Sequence, residues 1–199
     1  MNFLAHAYLS GDDPDLLFGN FVADSIKGKT LNTFESRVRD GVLLHRAIDT
    51  FTDNHPVVRL GVTRLQPDFR KFSGVILDIY FDHFLAMHWK EYNQIELKAF
   101  ASHVYWNLLS RYYILPPRTK RILPWMMAQD WLVGYANLND LQRVFNGMSR
   151  RTNFNSGMEN AVDFLMENYA AFETDFRIFF PELRIYAADF IDQIGNRKA

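Results

Sequence analysis

Apolar residues recur along this chain at three- and four-residue intervals, broken where Pro, Gly, Asn or Asp gather. Val38, Val42, Leu43 and Ile48 form one such stripe. No segment sustains the alternation of apolar and polar residues that a half-buried strand shows. The pattern predicts helices over 14–27, 34–53, 55–66, 70–90, 94–113, 118–135, 138–149, 156–179 and 181–195. Several starts carry a marker: Asp13 precedes Pro14, an N-cap followed by proline in the first turn. Asn54 stands two residues before Pro56, and Asn139 and Asp140 are placed to cap the run from Leu141. The fold class is therefore all-α. No internal repeat or low-complexity stretch divides the 199 residues, so a single compact multi-helix domain over 1–199 is expected.

Composition adds the size of the core. Hydrophobic residues make up 48% of the chain and aromatics 16%, with 18 Phe, so many chemically interesting residues have an ordinary packing role. Trp89, Trp106, Trp125 and Trp131 are read as core on this ground. The absence of cysteine excludes disulfides, thiolate metal sites and cysteine nucleophiles. Met1 to Leu9 lacks the basic region of a secretory signal, and the apolar stretch Gly74–Trp89 is interrupted by Asp78, Asp82 and His83. A cytoplasmic protein with no membrane or nucleic-acid partner is expected, in keeping with a formal charge of -1. That charge is uneven: Arg111 to Arg151 holds seven basic residues and two acidic ones, whereas the chain from Thr152 holds four basic and eight acidic. Such a segment either meets an acidic partner or a phosphate, or is simply a solvated face.

The candidate chemistry is concentrated in histidine and aspartate. His45 and Asp49 are four residues apart, which on a helix places them on one face, and Asp53 extends the row by a turn. Asp78 and Asp82 repeat the spacing on a second helix, with His83 adjacent. Asp24 closes the apolar run Phe18–Ala23, with Asn20 one turn earlier. Like-charged carboxylates in apolar surroundings repel unless a proton or a cation neutralises them, so a divalent ion turns an apparent fault into a site. Imidazole and carboxylate without thiolate suit Mn, Fe, Zn or Mg, with Mn or Mg favoured as carboxylates multiply. Each residue also has a plainer reading. His88 and His103 are read as core, Asp53 as a helix-end residue, His55 as loop, and Asp49 as a partner for Arg46 or another arginine.

Five blocks of residues go further than spacing. Met1-Asn2-Phe3-Leu4-Ala5-His6, Gly19–Asp24, His45–Asn54, Leu77–Leu85 with His88-Trp89, and Asn146-Gly147-Met148 together resemble the acyl carrier protein phosphodiesterase family over nearly the whole chain. That family is related to the HD-domain phosphohydrolases, so the resemblance implies an HD-domain-like helical fold. It also implies hydrolysis of the phosphodiester between 4′-phosphopantetheine and the serine of holo acyl carrier protein, with Mn²⁺ as the metal and Mg²⁺ or Fe²⁺ as substitutes. The order Asp82-His83 reverses the usual His-Asp pair. Asp24, His45, Asp49, Asp82 and His83 are the expected ligands, and His6, Asp24 and Asp78 the expected catalytic groups. Arg46 and Asn20 are assigned to the phosphate, and Arg118, Lys120, Arg121, Arg150 and Arg151 to the acidic carrier surface. The competing readings are another HD-type phosphohydrolase acting on nucleotides, and a non-catalytic module that binds the carrier protein.

Overall fold

The computed structural model describes residues 2–196, whose regular structure is entirely helical, with no strand among them. The first half holds α1 (Phe3–Tyr8), α2 (Pro14–Val22), α3 (Ser36–Asn54), α4 (Pro56–Phe69) and α5 (Ser73–Met87), with 3-10 turns over Ala23–Ser25 and Gly28–Thr33 between α2 and α3. The second half holds α6 (Trp89–Tyr92), α7 (Leu97–Ser110), α8 (Pro117–Ala128), α9 (Trp131–Gly134), α10 (Leu138–Ser149), α11 (Ala161–Glu167) and α12 (Tyr169–Asn196). Among the described residues no helix is long and apolar enough to cross a membrane.

α5 is the central element. Ile76, Leu77, Ile79, Tyr80, Phe81, Phe84 and Leu85 are all buried, so it is apolar around most of its circumference and is enclosed by α1, α4 and α12. The long α12 covers it with Phe172, Phe176, Phe179, Phe180 and Leu183, each contributing about 1.5–3 kcal/mol of burial. That stripe runs through Pro181, where a break was expected. Apolar packing on both sides of the proline offsets the roughly 3 kcal/mol that an interior proline costs. The chain instead breaks at Asn168, between α11 and α12.

α2 and α3 lie against each other more closely than side chains normally allow. A Cβ on Gly19 would sit 2.0 Å from the Val38 carbonyl oxygen, and one on Gly41 would sit 2.4 Å from that of Leu16. The two glycines thus form a paired notch, and the helices meet backbone to backbone. Asp13 pins the start of α2 as expected, accepting from the amides of Asp15 and Leu16 at 2.9 and 3.0 Å, and it also pairs with Arg37 of α3 at 2.7 Å.

Other boundaries differ from the sequence reading for local reasons. Asn137, not Asn139 or Asp140, caps α10. Asn54 closes α3 by donating to the Thr50 carbonyl rather than opening α4. The helix expected over 118–135 is interrupted at Asp130, whose φ of +46° lies outside the helical region. The tryptophans divide: Trp89 is buried and Trp131 packs against the core, but Trp106 and Trp125 are 67% and 63% exposed, contrary to their reading as core residues.

Candidate metal centre

The glycine notch fixes the site. It sits beside Asn20 on α2 and one turn before His45 on α3, so the close approach brings these two side chains within hydrogen-bonding reach. α1 adds His6, the 3-10 turn adds Asp24, α3 adds Asp49 and Asp53, and α5 adds Asp78. These seven residues, with Asn2, Phe3 and Phe21, line a cleft of about 260 Å³. A larger cavity of about 560 Å³ lies between Arg70–Phe72 and Phe154–Gly157, but it holds no histidine and its Lys71 is stacked on Phe72 and Phe154.

Asn20 orders the two imidazoles. Its Nδ2 donates to the His6 carbonyl and to Ser10 Oγ, each at 2.9 Å, which leaves its Oδ1 facing the rings. That oxygen accepts from Nδ1 of His6 at 2.8 Å and Nδ1 of His45 at 3.2 Å. Both rings are therefore held in the Nδ1–H form, stacked with centroids 4.0 Å apart, and both turn Nε2 toward Asp49. His6 Nε2 lies 3.2 Å from Asp49 Oδ1, and His45 Nε2 lies 3.1 Å from Asp49 Oδ2 and 3.3 Å from Asp24 Oδ1. One ligating atom from each of His6, His45 and Asp49 falls within a 4.8 Å sphere of mutual distance, a spacing that fits one cation.

The electrostatics agree with that reading. Burial alone would lower the pKa of His45, yet its hydrogen bonds to Asp24 and Asp49 raise it to about 9. Burial, with His45 alongside, lowers His6 despite its bond to Asp49. Against the opposing effect of burial, hydrogen bonds from His45 and His6 hold the Asp49 carboxyl far below the ordinary range. The bond from His45 also lowers Asp24. Asp53 moves the other way, raised by burial and by the neighbouring Asp78 and Asp49. In the metal-free protein a protonated His45 stands where a cation would neutralise the carboxylates.

Two expected ligands lie elsewhere. Asp82 is fully buried beneath α1, where Oδ2 accepts from the Leu4 amide at 2.8 Å and Oδ1 from the amides of Ala5 and Asn2 at 3.2 and 3.3 Å. Both carboxylate oxygens are thus committed to the first turn of the helix that carries His6. His83 donates from Nδ1 to the Tyr135 carbonyl at 2.7 Å, and its Nε2 lies 3.0 Å from the Tyr169 hydroxyl. With both nitrogens engaged across the core, His83 does not join His6, His45 and Asp49. The i, i+4 spacing of Asp78 and Asp82 gave no sign that a six-residue helix would occupy the second carboxylate.

The other candidates separate in the same way. Asp53, read as a helix-end residue, is part of the cleft, and its place four residues after Asp49 was the signal. Arg46 is exposed on α3 and does not line the cleft. Arg118 and Arg121 are exposed on α8, which reaches the cleft side through a 3.3 Å contact between Thr119 Oγ1 and Ser25 Oγ, next to Asp24. Lys120 donates to the Tyr113 carbonyl at 2.9 Å. Arg150 and Arg151 are exposed at the end of α10, which packs mainly on α9, α11 and the turn Met158–Asn160. His88 is not a core residue but joins Glu173, Glu91 and Arg177 in an ion-paired group. His103 is exposed, and the buried His55 pairs with Glu182 at 3.2 Å.

Fold and donor set together define a class: an all-helical protein whose clustered imidazoles and carboxylates are fit to hold a divalent cation. The particular family follows from its relatives. Residues 1–183 match the acyl carrier protein phosphodiesterase family. The chain is similar to the acyl carrier protein phosphodiesterase of Enterobacter sp. (strain 638), 31% identical over 94% of this chain and 97% of that one. The same is true of that of Escherichia coli O157:H7 (strain EC4115 / EHEC), 33% identical over 94% and 98%, and of Serratia proteamaculans (strain 568), 30% identical over 95% and 98%. No solved structure matches. The chain belongs to the acyl carrier protein phosphodiesterase family.

Proposed function

We propose that this protein hydrolyses the phosphodiester joining 4′-phosphopantetheine to the serine of holo acyl carrier protein, releasing apo carrier protein and free 4′-phosphopantetheine. The family supplies the substrate. The observation that carries the chemistry is the cleft: four carboxylates and two imidazoles converge where an anionic phosphodiester would have to bind. A cleft of that charge repels phosphate unless a cation intervenes. His6, His45 and Asp49 would hold it, with Asp24 and Asp78 as further ligands or as partners of the ligands, and Mn²⁺ suits this donor set better than Zn²⁺, with Mg²⁺ or Fe²⁺ as substitutes. When bound, such an ion polarises a phosphate oxygen and lowers the pKa of water from about 15.7 towards 7.

The chain's own groups do the rest. Asn20 keeps both Nε2 atoms aimed into the cleft and both Nδ1 atoms protonated. Asp24, with its side chain 68% exposed, stands at the rim where it can accept a proton from the attacking water. Asp53, whose pKa is raised, is suited to hold a proton for the leaving serine oxygen. Asp82 positions His6 through α1 rather than touching substrate. The fold is of the helical HD-domain kind on this reading, and the activity belongs to the cytoplasm, where carrier protein serves fatty-acid synthesis.

Intact-mass spectrometry of holo acyl carrier protein after incubation with this protein tests the reading. Loss of the phosphopantetheinyl mass with Mn²⁺, and retention of it with EDTA or with Asp49→Ala, is the expected result. A metal-loaded protein that leaves the carrier intact but cleaves nucleotides or bis-p-nitrophenyl phosphate would replace the substrate with another phosphodiester.

A further inference from the structure

Beside the cleft lies a surface that the chemistry of hydrolysis does not explain. Residues 112–128 carry Arg118, Lys120 and Arg121 and no acidic residue. They also expose Tyr113 (93%), Trp125 (63%), Ile114 and Tyr112. On α8, Thr119, Leu123 and Met126 face the core, which turns Arg118, Arg121 and Trp125, at spacings of three and four, into one outward stripe. Lys120 ties this stripe to the preceding turn, donating to the Tyr113 carbonyl and lying 5.5 Å above the Tyr112 ring. No acidic side chain among the described residues pairs with Arg118 or Arg121, whereas Arg111 just upstream is neutralised by Asp15 at 2.8 Å. The patch is therefore open in both charge and apolar area, and Thr119 connects it to the Asp24 side of the cleft.

Solvent-exposed tryptophan and tyrosine interleaved with arginine is the residue set that dominates binding energy at protein interfaces, and it is seldom left uncovered on a monomer. We propose that the outer face of α8 with the turn Tyr112–Ile114 is the docking surface for the carrier protein, receiving an acidic face of that partner with an apolar centre. Arg118 and Arg121 attract and orient its carboxylates, and Trp125 and Tyr113 cover its apolar centre. The prosthetic arm would then enter the cleft past Ser25 and Asp24. The partner's identity rests on the function proposed above. The complementary charge is what selects an acidic protein over a second copy of this chain, whose own stripe would repel it.

The test measures binding and turnover separately. Affinity for apo carrier protein is titrated calorimetrically, and kcat/KM for holo carrier protein is followed from low to high salt. Reversing the charges in Arg118→Glu/Arg121→Glu should weaken apo-carrier binding and raise KM by roughly tenfold or more, and should flatten the salt dependence. Trp125→Ala should weaken binding on the order of tenfold without changing that slope. The charge-conserving Arg118→Lys/Arg121→Lys should recover most of the affinity, which an unfolded variant could not do, and Lys90→Glu on α6 serves as the surface-charge control. Wild-type affinity and salt slope in the charge-reversed variant would overturn the docking surface even if hydrolysis proceeds. Binding that depends on Arg118 and Arg121 without any hydrolysis would instead sustain the surface and reject the reaction.

Discussion

Removing the Asp82 carboxylate separates two roles that predict opposite behaviour in the metal-free protein. As a metal ligand, Asp82 would be one more repelling charge without metal, and its loss would leave the apoprotein unharmed or steadier. As a tertiary cap that supplements Asn2, the N-cap of α1, it accepts three amides, two of them buried, at 2.8 to 3.3 Å. Asp82→Ala leaves the Leu4 and Ala5 amides without a partner, at about 1–3 kcal/mol each. Burial opposes this, pushing the Asp82 carboxyl up to about 7 despite its amide bonds, so deletion also relieves a buried charge at neutral pH. A net loss of about 2–4 kcal/mol follows, and for a chain of this length about 2–4 °C of melting temperature accompanies each kcal/mol. A fall of roughly 5–15 °C in the EDTA-treated protein is expected by calorimetry, with Asp82→Asn losing less because one oxygen still accepts. An unchanged melting temperature with EDTA, combined with abolished metal binding, would refute the capping role and restore Asp82 to the metal shell.

The same raised pKa gives a pH dependence with a definite sign. The native state holds the Asp82 proton more tightly than the unfolded chain does, so this contribution is fully present below about pH 4 and is lost as pH rises through about 7. Asp82→Asn should abolish that slope. His45 acts higher: with its pKa raised to about 9 it stabilises the metal-free fold below about pH 6.5, and urea unfolding should show up to about 3 kcal/mol lost between there and pH 9, with a flat profile refuting the His45 ion pairs. Asn20→Ala removes the oxygen that sets both imidazole tautomers and should weaken Mn²⁺ binding about 10–100-fold by calorimetric titration, with unchanged affinity ruling out the orienting role. Gly19→Ala or Gly41→Ala drives a methyl into a facing carbonyl at 2.0 or 2.4 Å, so either should yield protein with lost or much reduced helical cooperativity in thermal circular dichroism. A normal melt for both would mean that α2 and α3 do not meet as closely as described.

How much of this was legible in the sequence depends on the distance over which each residue acts. His45, Asp49 and Asp53 share one helix face, so helical spacing alone was enough to group them. Asp13 before Pro14 was readable for the same local reason. Asp78 and Asp82 have the same spacing but separate, because α1, a six-residue helix too short to show a period, is held against Asp82 from 77 and 78 residues away. The sequence reading placed His6 and Asn20 in the site, but with Asn20 at the phosphate; its role in ordering His6 and His45, and the glycine notch that aligns them, depend on a helix pairing no spacing rule contains. Pro181 failed for a related reason: proline is a local breaker, and the apolar stripe from Phe172 to Leu183 that overrides it is a property of the assembled core.

The misplaced tryptophans connect these lessons to function. Aromatic abundance favours burial for any one tryptophan, and for Trp89 that holds. It fails at Trp106 and Trp125, and at Trp125 the exposed ring continues a stripe begun by the unpaired Arg118 and Arg121, on a helix whose inward face is already satisfied by Thr119, Leu123 and Met126. An exposed indole there, contiguous with exposed Tyr113 and Ile114 beside unpaired arginines, forms the kind of mixed patch that a partner covers. The acidic cleft makes the complementary demand. On the proposed reading a cation there would neutralise one phosphate, but the carboxylates around it give no purchase on an acidic protein, so recognition would be carried by groups outside the cleft. The cationic, aromatic face of α8, which contacts the Asp24 turn through Thr119 and Ser25, has the charge and apolar character to do so.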